Sequence, residues 1–155
     1  MGLEIERKFL VEGTDYRRLA SSAKVIKQGY LSTDPRSTVR VRISDTSAFI
    51  TVKGLTTGAT RGEWEYAIPL NDAEEMLRLC TSVLCKTRYL VPAPPHVWEV
   101  DEFGGKLSGL VVAEIELPSE QATFTLPAFI GREVTGDPRY YNSSLSQSSN
   151  LPPLE

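Results

Sequence analysis

Residues 2–11 read GLEIERKFLV. In an extended strand, residues i and i+2 share a face. Glu4, Glu6 and Lys8 therefore stand on one side and Ile5 on the other. The arrangement recurs along the chain: Arg40 with Arg42, Thr51 with Lys53, Glu63 with Glu65, Lys86 with Arg88, Glu99 with Asp101, and Glu114 with Glu116. The residues between are mostly apolar: Val41, Val52, Trp64, Val100 and Ile115. Alternation of this kind predicts strands near 2–11, 24–33, 37–45, 48–54, 61–70, 84–92, 96–103 and 110–117, with a further short one near 129–135. Turn chemistry separates them at Thr33-Asp34-Pro35, Ser44-Asp45-Thr46, Thr57-Gly58, Gly104-Gly105 and Pro118-Ser119.

A single charged strand face is ordinarily the solvated side of an antiparallel sheet. Three features argue otherwise here. The pattern recurs in seven strands, the charges mostly come in blocks of one sign per strand, and Lys and Glu are poor strand formers. We therefore expect an α+β protein built on an eight-stranded antiparallel β-barrel, charged face inward, with a few helices and long connections covering the apolar outside. Enclosed charges must be paired or hold ions. Lys8, Arg40, Arg42, Lys53, Lys86 and Arg88 suit a polyanion, because Arg forks grip phosphate oxygens and Lys binds them as a point charge. Glu4, Glu6, Glu63, Glu65, Glu99, Asp101, Glu114 and Glu116 suit a hard divalent cation. Short polyphosphate with bridging metal satisfies both sets.

The rest of the chain narrows the function classes. With 155 residues, one domain is expected, over 1–145, followed by a flexible tail over 146–155 (SQSSNLPPLE). Helices are expected from Thr14 or Asp15 to about Ser22, from Asn71 or Asp72 to about Val83, and as a short turn after Asp137-Pro138. A net charge of -3 gives no pull toward nucleic acid or an anionic membrane surface. No run is apolar and long enough to span a bilayer, and residues 1–12 lack a secretory core, so a cytoplasmic protein is expected. Cys80 and Cys85 are too few for a disulfide framework, and His96 stands alone, so neither a zinc centre nor a Ser-His site has its parts. Trp64 and Trp98 fall out of phase with the charges and are expected in the core under helices. Arg7, also out of phase, is expected outside.

Glu4-Ile5-Glu6-Arg7-Lys8 resembles the N-terminal ExExK signature of the CYTH domain superfamily, the triphosphate tunnel metalloenzymes. The later segments resemble that family in order: Gln28-Gly29-Tyr30-Leu31, Val39-Arg40-Val41-Arg42, Thr51-Val52-Lys53, Glu63-Trp64-Glu65, Lys86-Thr87-Arg88, Glu99-Val100-Asp101, Glu114-Ile115-Glu116 and Gly131-Arg132-Glu133-Val134-Thr135. The resemblance, strongest to the small bacterial inorganic triphosphatases, implies a barrel tunnel, Mg²⁺ or Mn²⁺ and a small-molecule triphosphate substrate. It implies metal binding by Glu4, Glu6, Glu114 and Glu116, with Asp101 as an added ligand. It implies phosphate binding by Lys8, Arg40, Arg42, Lys53, Lys86 and Arg88. Glu63 and Glu65 match carboxylates that orient water or a second metal, and Tyr30 matches a tyrosine that pairs with the signature lysine. Because fold and phosphate site are shared, other activities stand beside inorganic triphosphatase: nucleoside or thiamine triphosphatase, class IV adenylate cyclase, or a non-catalytic polyphosphate- or nucleotide-binding module.

Overall fold

The computed structural model describes residues 2–155, so residue 1 of the expected domain lies outside the described residues. Nine strands follow the expected alternation: β1 (Leu3–Val11), β2 (Ser22–Ser32), β3 (Thr38–Ser44), β4 (Ser47–Lys53), β5 (Thr60–Ile68), β6 (Val83–Ala93), β7 (His96–Phe103), β8 (Val111–Glu116) and β9 (Ile130–Glu133). Three α-helices join them: α1 (Asp15–Leu19), α2 (Leu70–Leu79) and α3 (Asn142–Gln147). The pairing order is β5-β4-β3-β2-β6-β7-β8-β1, and β1 returns to β5 through Leu3↔Gly62, Glu4↔Arg61 and Ile5↔Thr60. Eight antiparallel strands thus close into a barrel, which removes the sheet's edges. β9 is an addition on β1, meeting it at Phe9↔Glu133 and Val11↔Ile130.

The register sends the charged parity inward. Glu6 lies opposite Glu116 and Lys8 opposite Glu114 between β1 and β8. Arg88 lies opposite Asp101 between β6 and β7. The other parity builds the outer core. Phe9, Trp98, Val100, Ala113 and Ile115 pack with Tyr16 of α1 and with Leu117 and Phe129 of the connection after β8. Phe124 of that connection meets Trp98 edge-on at 5.8 Å between ring centroids. On the far side, Ala73 and Leu77 of α2 cover Val41 and Ala48. A Cβ at Gly29 would lie 2.8 Å from Cys80 Sγ, so glycine in β2 lets the end of α2 close onto the sheet.

The inward parity also continues into apolar residues. Leu10, Leu84, Phe103 and Val112 extend the faces that carry Lys8, Lys86, Asp101 and Glu114. They join Leu107, Leu110, Val134, Tyr140 and Leu145 in an apolar plug at one end of the barrel. This corrects the expected start of the tail. Leu145 belongs to the plug, α3 runs on to Gln147, and Ser146 is fully buried. Beyond it, Tyr140 Oη donates to Pro153 O at 2.6 Å and Arg132 Nη2 to Glu155 O at 3.1 Å.

Other boundaries differ for local reasons. α1 ends at Leu19 because β2 already begins at Ser22, and α2 stops at Leu79 because β6 begins at Val83. α2 starts at Leu70 behind Pro69, ahead of Asn71 and Asp72, the residues expected to cap it. The outer covering is incomplete as well. Trp98 is buried as expected, whereas Trp64 is 37% exposed. Trp64 stands on the outside of β5, where neither helix nor long connection reaches, and its indole lies across the bare backbone of Gly62. Leu3 and Tyr66 are exposed on the same stretch of wall.

Candidate functional site: a charged tunnel

In a ring of eight strands with this order, β1 stands opposite β2. The tunnel therefore has two walls of opposite sign. β1 and β8 present Glu4, Glu6, Glu114 and Glu116, and β3 and β6, flanking β2, present Arg40, Arg42, Lys86 and Arg88. The central cavity, about 160 Å³, is lined by Glu4, Glu6, Arg40, Arg42, Lys53, Glu63, Glu65, Arg88, Glu99, Glu114, Glu116 and Asn142. All but Asn142 carry a charged group. Toward one mouth a space of about 60 Å³ shares Glu4, Glu6, Arg40, Lys53 and Asn142 with it and adds Lys8, Tyr30, Thr38 and Arg61. Toward the other, a space of about 150 Å³ shares Arg42, Glu65, Arg88 and Glu99 and reaches Lys24, Ser44 and Phe49. The three spaces adjoin one another through these shared residues.

Ten of the expected site residues line the central cavity, and Lys8 and Tyr30 line the mouth. Lys86 and Asp101 lie beneath the cavity surface, 0% and 1% exposed in their side chains, with Lys86 Nζ 2.7 Å from Asp101 Oδ2. Asp101 also receives both arms of Arg88, Nε to Oδ1 at 2.8 Å and Nη2 to Oδ2 at 2.9 Å. Both of its oxygens are thus engaged by cations, which suits a residue that orients Arg88 and Lys86 better than one that ligates metal. Arg88 also donates to Glu99 at 3.0 Å.

Most cations have carboxylate partners. Lys53 Nζ lies 3.1 Å from Glu4 and 3.2 Å from Glu63. Arg40 Nη2 lies 3.3 Å from Glu65, which also accepts from Thr51 Oγ1 at 2.8 Å. Lys8 Nζ donates to Tyr140 O at 3.0 Å and lies 3.8 Å from Glu114. Arg42 differs, its Nε donating at 2.9 Å to the neutral amide oxygen of Gln28.

The two walls titrate differently. Burial, then the charges of Glu114 and Glu4, hold Glu6 well above the usual carboxylate range. Burial also raises Glu4, against the pull of Lys53, and raises Glu116. Burial acts on Glu114 in the same sense, yet Lys8, a hydrogen bond from Glu6, Arg88 and Lys86 together bring it well below that range. Burial disfavours the charge on Asp101 too, but Arg88 and Lys86 hold it down at about 2. Burial lowers Lys86 to about 7 against the attraction of Asp101, and lowers Arg42 to about 9, with Arg40 and Arg88 adding to the effect.

Carboxylates that raise one another in an enclosed space want a cation. The donor set is oxygen throughout, which fits a hard divalent ion. Among the described residues no three acidic groups converge on one point. Such an ion would thus take some of its ligands from Glu4, Glu6, Glu114 and Glu116 and the remainder from substrate or water oxygens, as Mg²⁺ commonly does.

Several residues at the tunnel escape the sequence pattern as first drawn. Arg61 stands two before Glu63 and Thr38 two before Arg40, so extending each face by one step finds them. Gln28 stands two before Tyr30 in β2 and fails to register because it is uncharged. Asn142 comes from the start of α3, where no strand periodicity points to it, and its Oδ1 accepts from Lys86 Nζ at 3.3 Å.

The sequence profile of the CYTH domain matches residues 2–147. The chain is 51% identical over 147 residues to an inorganic triphosphatase from Acetivibrio thermocellus, covering 94% of each chain. It is 40% identical over 151 residues to an inorganic triphosphatase from Nitrosomonas europaea, covering 94% of this chain and 97% of that one. Among solved structures it is similar to the crystal structure of an inorganic triphosphatase, with a TM-score of 0.66 and 34% identity, covering 95% of this chain and 99% of that one. No described helix is long and apolar enough to cross a membrane.

Proposed function

The chain belongs to the CYTH domain family, and on that premise we propose that it hydrolyses inorganic triphosphate to diphosphate and phosphate inside the tunnel, with Mg²⁺ or Mn²⁺. One observation carries this reading: a closed cavity with a carboxylate wall facing a cation wall, and no aromatic ring among its lining residues. A polyphosphate with divalent metal complements both walls. A base would find no stacking partner in the central cavity. The relatives named inorganic triphosphatase cover 94% of the chain, which supports the same substrate.

In this proposal Arg40, Arg42, Arg88 and Lys53 hold the phosphate oxygens and fix the chain along the tunnel. Phosphoryl transfer asks for positioning and charge stabilisation more than covalent chemistry. A divalent cation at Glu4, Glu6, Glu114 and Glu116 would neutralise phosphate oxygens on the other side. Lys8 projects from the carboxylate wall at the mouth and is raised by its acidic surroundings despite burial, so it stays charged and supports the departing diphosphate. Tyr30 lines the same mouth beside Lys8. Glu63 and Glu65 would accept a hydrogen bond from the attacking water. Asp101 orients Arg88 and Lys86. The free thiols Cys80 and Cys85 accord with a cytoplasmic setting.

A second substrate class follows from the mouths. Tyr141 at one end and Phe49 at the other offer a ring to an organic group left outside while its triphosphate enters. Phosphate release from inorganic triphosphate, ATP and thiamine triphosphate, each with Mg²⁺, Mn²⁺ or EDTA, separates these. We expect metal-dependent release, fastest from inorganic triphosphate. Release from an organic triphosphate alone would move the substrate and keep the site. Binding with no turnover of any of the three would leave a non-catalytic module.

A further inference from the structure

Six inward cations answer to phosphate, and five of them meet a carboxylate: Lys8, Arg40, Lys53, Lys86 and Arg88. Of these six Arg42 is the exception, and what holds it is uncharged. Its Nε donates to Gln28 Oε1 at 2.9 Å, from the position directly across the β2–β3 register. Gln28 is fully buried, and its own Nε2 has no hydrogen-bond partner. The amide cannot simply turn over to relieve this, because the turn would set its NH₂ against the Arg42 N–H, donor against donor. A glutamate here would accept from Arg42 equally well, leave no orphan donor and add an ion pair. The chain instead carries the one side chain of that shape that steers the guanidinium and leaves its charge alone.

Resting on the triphosphate reading of the tunnel, we propose that Gln28 is a positioning residue: it fixes Arg42 toward the cavity while keeping its charge uncompensated, so that the phosphate chain itself becomes the counter-ion. The other cations must loosen an existing ion pair before they engage phosphate fully, whereas Arg42 is available at once. Its surroundings already disfavour an unpaired charge, since burial and the neighbouring Arg40 and Arg88 lower it to about 9, and an anion in the cavity relieves all three.

Calorimetric titration of inorganic triphosphate in EDTA, where binding is read without turnover, tests this on wild type, Gln28→Glu and Gln28→Met. We expect Gln28→Glu to weaken binding about tenfold or more, because it supplies the counter-ion internally, while thermal stability holds or rises. We expect Gln28→Met, which keeps the charge and loses the steering, to weaken binding several-fold and to raise KM more than it lowers kcat under metal-loaded turnover. In an Arg42→Gln background, Gln28→Glu should weaken binding no further. Normal affinity in both single variants would overturn the proposal, and so would an equal loss from Gln28→Glu with and without Arg42. A wild-type protein that binds no triphosphate would fail at an earlier point and overturn the substrate reading with it.

Discussion

The two walls of the tunnel hold comparable numbers of charges and treat them in opposite ways. On β3 and β6, Lys86 and Arg88 are matched to Asp101 on the neighbouring β7, and Arg40 to Glu65 two strands away on β5. On β1 and β8, carboxylates face carboxylates: Glu6 lies opposite Glu116, and Glu6 and Glu116 both sit above the usual carboxylate range. Apart from Arg42, the first wall is built to stand without a ligand. The second is strained until a cation arrives, so it is the part of the barrel whose properties should depend most on what is bound.

The largest expected effect is on turnover. Glu6→Ala and Arg40→Ala remove one group from each wall, and each should lower kcat by about 10²–10³-fold. Thermal unfolding should change far less, since neither residue belongs to the apolar core. Near-normal turnover in either variant would break the division of roles between the walls.

Next comes Asp101→Asn, which acts on the matched wall. It leaves Arg88 and Lys86 enclosed without their shared partner and should cost about 3–5 kcal/mol of stability. Chemical denaturation at neutral pH measures it. A loss below about 1 kcal/mol would mean that these cations reach solvent more freely than their burial indicates.

The pH dependence should differ in sign between two sets of tunnel carboxylates. Glu4, Glu6 and Glu116 are raised in the folded state, which therefore keeps protons the unfolded chain has already released, so stability falls as pH rises through that window. Asp101 and Glu114 are depressed, so their contribution is present above the unfolded carboxylate value and disappears as pH falls toward their folded ones. We expect the melting temperature of metal-free protein to fall as pH rises from about 5 toward about 7, where Lys86 begins to shed its proton in the folded state and opposes the trend, and to fall again below about pH 4. Mg²⁺ should raise it more at the upper end of the first range than at the lower. A metal effect independent of pH would separate the cation from the carboxylate wall.

The smallest effect is expected one residue from the site. Arg7 shares β1 with Glu6 and Lys8 but faces out, paired with Glu133 at 2.6 Å with both side chains about a third exposed. Arg7→Ala should cost about 0–1 kcal/mol and leave hydrolysis unchanged. A large loss of activity would show that the two faces of the strand are not independent.

The strands were legible because period-two alternation is strict when one face must be charged and the other buried. Glu4-Ile5-Glu6 states its own parity, and closure follows because so many inward charges need partners. What escaped has physical reasons. The plug was written in the same faces, at Leu10, Leu84, Phe103 and Val112, but an apolar residue at the end of a charged face gives no contrast with an ordinary core residue. Gln28 is silent because its value lies in lacking charge. The engagement of Asp101 by Arg88 and Lys86 depends on which neighbour each strand acquires, and the i, i+2 pattern says nothing about that. Trp64 misled because an outward aromatic in a strand looks the same whether or not a helix arrives to cover it.

The order of strands around the barrel also sets the order in which it can be assembled. β1 is completed only by β8, and Glu6 and Glu116 meet across the whole intervening sequence. A ribosome that has delivered β1 to β7 has delivered every cation of the tunnel but only half of the carboxylate wall. Among the eight barrel strands the closing pairing is thus the one of greatest sequence separation, which carries a high loop-closure cost. It is also the step that brings like charges together. The seam of the barrel is where a nascent chain waits longest and where a divalent ion has most to offer before any substrate is present.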